Sequence, residues 1–265
     1  MMRLAGKQPP AYALYTSFWA AIDWLFPPTC GGCGETGTRW CAVCQRQVNQ
    51  ATSPICHICG DPQSNLPAGS SPAGTALLCN RCQASRPSYQ LLRSYGIFQG
   101  PLREALHRMK YQKDLGLGEV LSKHLIELYN QLKWEIDLIA PVPLSAKRRR
   151  ERGYNQAGLM GRPLAYAVQR PYRSDIIQRS RDTRSQVGLS AQERQQNVAG
   201  AFTAKAELVR GKVILIVDDV TTTGSTIHAC AQALRDAGAS AVYGLTLARA
   251  ASQADADDRP TTSQF

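Results

Sequence analysis

The chain lacks any run approaching the ~18 apolar residues of a membrane span, so no transmembrane helix is expected. Its most apolar stretch, Ala11 to Phe26, is broken by Thr16, Ser17 and Asp23 and stopped by Pro27-Pro28. Arg3 and Lys7 precede that stretch, but no small-residue cleavage site of a secretory signal follows. Residues 1–28 are therefore read as an amphipathic helix that packs on its own protein, and the chain as cytoplasmic. There is no G-x-x-x-x-G-K-[ST], which excludes a P-loop. The recognition-helix spacing of a two-cysteine, two-histidine finger is also missing. Aromatic residues make up only 7%, and near the basic part of the core only Tyr154, Tyr166 and Tyr172 occur, which gives no obvious row of base-stacking platforms. Acidic residues are scarce beside basic ones, 20 against 31, for a net charge of +11 that favours anionic ligands or partners. The window Lys147 to Arg194 holds 12 Lys+Arg and 4 Asp+Glu, hence +8 of that total.

Cysteine, by contrast, is plentiful and ordered. Eight of the 9 cysteines form C-x-x-C pairs, Cys30/Cys33, Cys41/Cys44, Cys56/Cys59 and Cys79/Cys82. Two thiolates at that spacing reach one tetrahedral ion, and two pairs complete a four-cysteine zinc site. Disulfides would need an oxidising compartment. The segment 29–90 is rich in Gly, Pro and Ser and too small for its own apolar core, so one or two structural Zn2+ ions are expected to supply its folding energy. Sequential pairing leaves spacers of 7 and 19 residues; crossed pairing would make a RING-like weave. Both remain open, and His57, inside the third pair, is read as a bystander. Asp61 to Thr75 reads as a loop between the knuckles.

The 43% apolar fraction suffices for a packed core, and the length accommodates one α/β domain plus a small module. That domain is read as residues 91–250, with 251–265 a frayed polar tail. The pattern predicts a strand over Ser94–Phe98, a helix from Gly100 through Tyr111 and a helix over Gly118–Trp134. A buried-type strand, Asp137–Val142, comes next and is followed at once by the basic run Lys147 to Arg152 and a helix to about Gln169. Arginine meets phosphate oxygens in pairs while lysine acts as a point charge, so this run suits a pyrophosphate or a nucleic-acid backbone. A third short strand is expected at Ser174–Ile177, and the polar run Gln178 to Gly200, carrying Arg181 and Arg184, as a loop able to close over a ligand.

The densest signal is KVILIVDDVTTTGSTIHACAQAL, from Lys212 to Leu234. Val213 to Val217 lacks alternation, as a strand buried on both faces does. Asp218 and Asp219 follow at its carboxyl end, then the turn Thr221-Thr222-Thr223-Gly224-Ser225-Thr226 and a helix that Gly238 can end. Ligands of open α/β sheets sit beyond such strand ends. Hydroxyls and helix-terminal N–H groups suit a phosphate, and two carboxylates suit hydroxyls or a metal-bridged group. A phosphorylated sugar meets both demands. A Walker B strand is the competing reading, and the missing P-loop argues against it. A response-regulator first strand is another, with too little chain after Asp219.

At these residues the chain resembles the type I phosphoribosyltransferases and their phosphoribosyl pyrophosphate (PRPP) loop. LHRMKYQKD, PVPLSAKRRRERGYNQA and RDTRSQVGLSAQERQQNVAGAF, behind a cysteine-pair module, extend the likeness to the ComF (GntX-like) family of competence-associated proteins. The resemblance implies an α/β type I phosphoribosyltransferase fold, mostly parallel, with a small N-terminal zinc module. It implies Asp218 and Asp219 on the ribose hydroxyls, Thr221 to Thr226 on the 5′-phosphate, and PRPP carried with Mg2+. Lys147, Arg148, Arg149, Arg152, Arg181 and Arg184 are the candidates for the pyrophosphate. It further implies a part in transformation or DNA use, with single-stranded DNA and a competence helicase or DNA-processing protein as partners. A module that senses PRPP or binds DNA without turnover is the alternative.

Overall fold

The structure is a computed structural model that describes residues 8–52, 54–63, 77–180, 193 and 200–250. At its centre lies β5 (Val213–Thr221), between β6 (Ala241–Arg249) and β2 (Leu138–Pro141), with β1 (Leu92–Ile97) outside β6. All three pairings are parallel, with Ile216 opposite both Ala140 and Gly244. Beyond β2 a bridge from Ile139 to Tyr172 continues that edge.

The unbroken apolar run of β5 has a direct consequence. Successive side chains point to opposite faces, so Ile214 and Ile216 enter one core and Leu215 and Val217 another, all four at 0% exposure. Over the first face lies α8 (Ser225–Asp236), which buries Ile227, Cys230, Ala231 and Leu234. It ends in a Schellman pattern: Gly238 at φ +94° donates to the Arg235 carbonyl and Ala239 to that of Leu234. The second face carries α4 (Gly100–Tyr111), α5 (Leu117–Leu132) and α7 (Gln156–Ala167). Leu102, Leu106 and Met109 of α4, and Leu117, Leu121 and Leu125 of α5, recur at helical spacing and are all fully buried.

Four features depart from the expectations. The third short strand is β3 (Ile177–Arg179); it pairs antiparallel with β4 (Phe202–Ala204) and forms a separate ribbon beside the sheet. The basic run is a helix, α6 (Ala146–Arg152), because Ser145 caps it by accepting from the Arg148 N–H and Gly153 ends it in the left-handed region. The strand carrying the acid pair runs on to Thr221, so the turn before α8 is only Thr222–Gly224. The N-terminal helix α1 (Pro10–Leu25) packs beside α7, yet Tyr12 alone is buried and Leu14, Phe18, Trp24 and Leu25 stay exposed.

The cysteine segment folds as two knuckles. Short helices α2 (Ala42–Arg46) and α3 (Asn80–Ala84) begin inside the second and fourth pairs, with Cys41 and Cys79 at their N-caps, and no described helix is long and apolar enough to cross a membrane.

Candidate functional site

The eight paired cysteines form two sets, Cys30, Cys33, Cys41 and Cys44, and Cys56, Cys59, Cys79 and Cys82, each with its sulfurs within 4.8 Å of one another. Pairing is therefore sequential, without a RING-like weave. Sγ atoms of Cys33 and Cys41 lie 3.8 Å apart and those of Cys59 and Cys79 3.6 Å. Zn–S bonds of ~2.3 Å in a tetrahedron require about 3.8 Å between sulfurs, so both sets fit zinc, whereas a disulfide needs about 2.05 Å. In the first set the Cys41 and Cys44 N–H groups donate to the sulfurs of Cys30 and Cys41, which steadies thiolates. His57 belongs to neither set; its carbonyl accepts from Arg93.

The acid pair opens into a cavity of about 340 Å3 at the carboxyl ends of β5 and β2. Asp218, Asp219, Thr222 and Thr226 line it together with Arg148, Arg152 and Arg179. Asp218 Oδ1 accepts from the Asp219 N–H at 2.9 Å and Asp219 Oδ1 from Val220 at 2.8 Å. Asp219 Oδ2 lies 2.7 Å from Lys110 Nζ, at the end of α4. Burial, and after it the charge of Asp219, push the Asp218 carboxyl well above the usual aspartate range. Burial pulls Asp219 the same way, but the Lys110 ammonium, through its charge and its hydrogen bond, holds that carboxyl below it. Two adjacent acids are thus driven apart, which is common at sites built for ligands.

The turn is fixed from behind. Arg249, the last residue of β6 and fully buried, donates to the carbonyl of Thr222 at 3.1 Å, to Asp61 Oδ1 at 3.1 Å and to the Cys59 carbonyl. One guanidinium thus joins the second cysteine set to the turn beside the acids. Gly224 sits at φ +81°, where a Cβ would also come 2.9 Å from the Tyr89 hydroxyl. The N-cap Gly224 has no side chain to cap α8, and Thr223 Oγ1 accepts from the Ser225 N–H at 3.3 Å, so the helix's positive end stands at the turn.

The sequence candidates divide between places. Arg148 and Arg152, four apart on α6, face the acid cavity. Lys147 projects into solvent and approaches Glu151 at 4.0 Å, and Arg149 lines a different cavity. Thr221 is buried in the strand, and Thr223, Gly224 and Ser225 line a small side cavity of about 60 Å3 with Arg81 and His228. Arg181 and Arg184 lie outside the described residues. Lys110, Arg179, Phe98 and Tyr111 complete the cavity without having been singled out. Lys110 reaches Asp219 from more than a hundred residues away in the chain, and spacing carries no trace of that approach.

The sequence matches the double zinc ribbon domain family over residues 21–83 and the phosphoribosyl transferase domain family over residues 155–265. The second match, with the parallel sheet, gives the type I phosphoribosyltransferase fold. Among solved structures the chain is similar to adenine phosphoribosyltransferase from Thermoanaerobacter pseudethanolicus at 17% identity and a TM-score of 0.35, covering 52% of this chain and 83% of that one. Among curated proteins it is 35% identical to the DNA utilization protein YhgH of Salmonella typhi, over 79% of this chain and 89% of that protein. It is 33% identical to competence protein F of Haemophilus influenzae, over 79% and 90%. Competence protein ComFC of Bacillus subtilis is 27% identical, over 79% and 83%. Identities of 33% and 35% over 89–90% of the length of proteins so named, with a double zinc ribbon ahead of a phosphoribosyl transferase domain in this chain, place it in the ComF family.

Proposed function

We propose that this protein binds PRPP with Mg2+ in the acid cavity and acts as a phosphoribosyltransferase in the competence or DNA-utilization role for which its relatives are named. The observation that carries this reading is the convergence of Asp218 and Asp219 with Arg148, Arg152, Thr222 and Thr226 around one cavity at the strand ends. The acids take the ribose hydroxyls, and the turn at the head of α8 takes the 5′-phosphate. Arg148 and Arg152 take the diphosphate in paired hydrogen bonds. Oxygen donors on Asp218 and Asp219 fit Mg2+, which supplies charge neutralisation at the diphosphate when it arrives with the substrate. As the bond from C1 to pyrophosphate breaks, positive charge grows on the sugar ring. The ionised Asp219 stands where it stabilises that charge, and the two arginines hold the departing anion.

The test is calorimetric titration with PRPP and Mg2+, followed by magnesium-dependent pyrophosphate release with nucleobases. Wild type is expected to bind, and Asp218→Asn/Asp219→Asn to bind at least tenfold more weakly and release no pyrophosphate. Equal binding by the double variant would overturn the assignment of the acids.

A second reading, contact with single-stranded DNA in a non-catalytic role, draws on one observation: Lys147 and Arg150 leave the cavity to Arg148 and Arg152 and point into solvent. If it holds, log K for an oligonucleotide falls with log salt by about 0.7 per phosphate contacted. Absence of binding at low salt removes it.

A further inference from the structure

Beyond the acid cavity, on the other flank of α6, lies a second cavity of about 400 Å3. Arg149 and Gly153 face it, while Arg148 and Arg152 face the first; Asn155 forms wall in both. Its sides are aromatic. Tyr15, Phe18 and Trp19 come from α1, Tyr154 from the turn after α6, and Tyr172 from the strip beside β2. Tyr15 stands edge-on to Trp19 at 6.5 Å and to Tyr166 at 6.1 Å, so the rings are braced. Arg162 of α7 completes the rim, its guanidinium 5.5 Å over the Tyr172 ring. No carboxylate lines this cavity, and among the described residues neither Arg149 nor Arg162 lies in an ion pair.

We infer that this cavity is a nucleotide subsite, with a base held among the rings of Tyr15, Phe18, Trp19, Tyr154 and Tyr172 and a phosphate on Arg149 and Arg162. Flat aromatic faces accept any base, and guanidinium groups left without carboxylates at the rim supply the complement to a phosphate that a purely apolar ligand would leave unused. The volume falls within the ordinary range for small-ligand sites, roughly 300–1,000 Å3. Such a nucleotide is either free or one unit of a single strand. The inference does not rest on PRPP occupying the first cavity.

The experiment uses the full chain without PRPP, with dTMP and a fluorescein-labelled ten-residue oligo(dT) as probes at low salt. Anisotropy and tryptophan quenching are the readouts. Wild type is expected to bind at least one probe. Arg149→Gln/Arg162→Gln should weaken that binding at least tenfold, and Phe18→Ala, at an exposed position, about threefold or more. The charge-matched control Arg103→Gln/Arg170→Gln, at exposed positions outside both cavities, should stay within twofold of wild type. Binding of both probes assigns a mononucleotide-sized site, and binding of the oligomer alone assigns a unit of a strand. The inference is overturned if neither probe binds, or if the control pair loses as much affinity as Arg149→Gln/Arg162→Gln. PRPP titration of the same variants separates the two cavities, because Arg149→Gln/Arg162→Gln should leave it unchanged.

Discussion

Asp218 and Asp219 are neighbours in sequence and opposites in chemistry, because only one of them meets Lys110. A ligand that needs both acids ionised works against the burial and the Asp219 charge that raise the Asp218 pKa. Under the PRPP reading, affinity for the magnesium complex therefore rises with pH and binding releases a proton. Titrations in buffers of different ionisation enthalpy measure that release, and Asp218→Asn should abolish it. Lys110→Met should raise the Asp219 carboxyl and increase the release. His124 offers a case away from the site. It is buried, stacked on Tyr95 at 4.5 Å, and its pKa falls from 6.5 to about 4, chiefly through burial and then through Lys123. The folded value lies below the unfolded one, so the unfolded chain takes up the proton first. Stability is complete above about pH 6.5 and declines as pH drops toward 4. Denaturant midpoints across that window should slope for wild type and flatten for His124→Gln.

Among the elements, β6 ends in a residue that joins three parts of the molecule. Arg249→Met leaves the Asp61 carboxylate and the carbonyls of Cys59 and Thr222 without their shared donor, a loss of about 3–5 kcal/mol for a broken buried ion pair. Arg249→Lys should recover only part, since an ammonium lacks the planar fork. Denaturation midpoints check the first expectation. A drop in PRPP affinity, with the acids untouched, checks whether the turn depends on the ribbon. The same strand shows what sequence could and could not disclose. The uninterrupted apolar run of β5, Pro101 at the start of α4 and Gly238 after α8 are local signals, and those elements stand where expected. The extension of β5 to Thr221 is set by pairing with Arg249, a tertiary fact. Periodicity could not reveal that β3 pairs with β4 outside the sheet, because a three-residue strand has almost no period. At the site, Asp218, Asp219, Arg148 and Arg152 line one cavity, whereas Lys147 and Arg149 differ from Arg148 only by their angle around α6. A basic run read as a string does not say which side chains face inward.

The whole molecule treats its two zinc ribbons unequally. Cys56, Cys59, Cys79 and Cys82 belong to the same buried core as Ile214, Ile216 and Val242, while Cys33 of the first set is exposed. Losing the second ion should therefore loosen the sheet as well as the knuckle. Thermal melting of Cys79→Ser should show a larger fall in Tm than Cys33→Ser, and zinc content measured on both should drop by about one ion per chain. Equal shifts would mean that the second set is not integral to the core.

Sequential ligand sets also bear on how the chain is made. The first ribbon holds all four of its sulfurs between Cys30 and Cys44, so a nascent chain can take up that ion soon after the segment leaves the ribosome. The second can gather its sulfurs by Cys82, but its shelter, Ile214, Ile216 and Val242, is translated much later. An ion bound early by those four thiols would have to hold the knuckle together by itself until these later strands arrive.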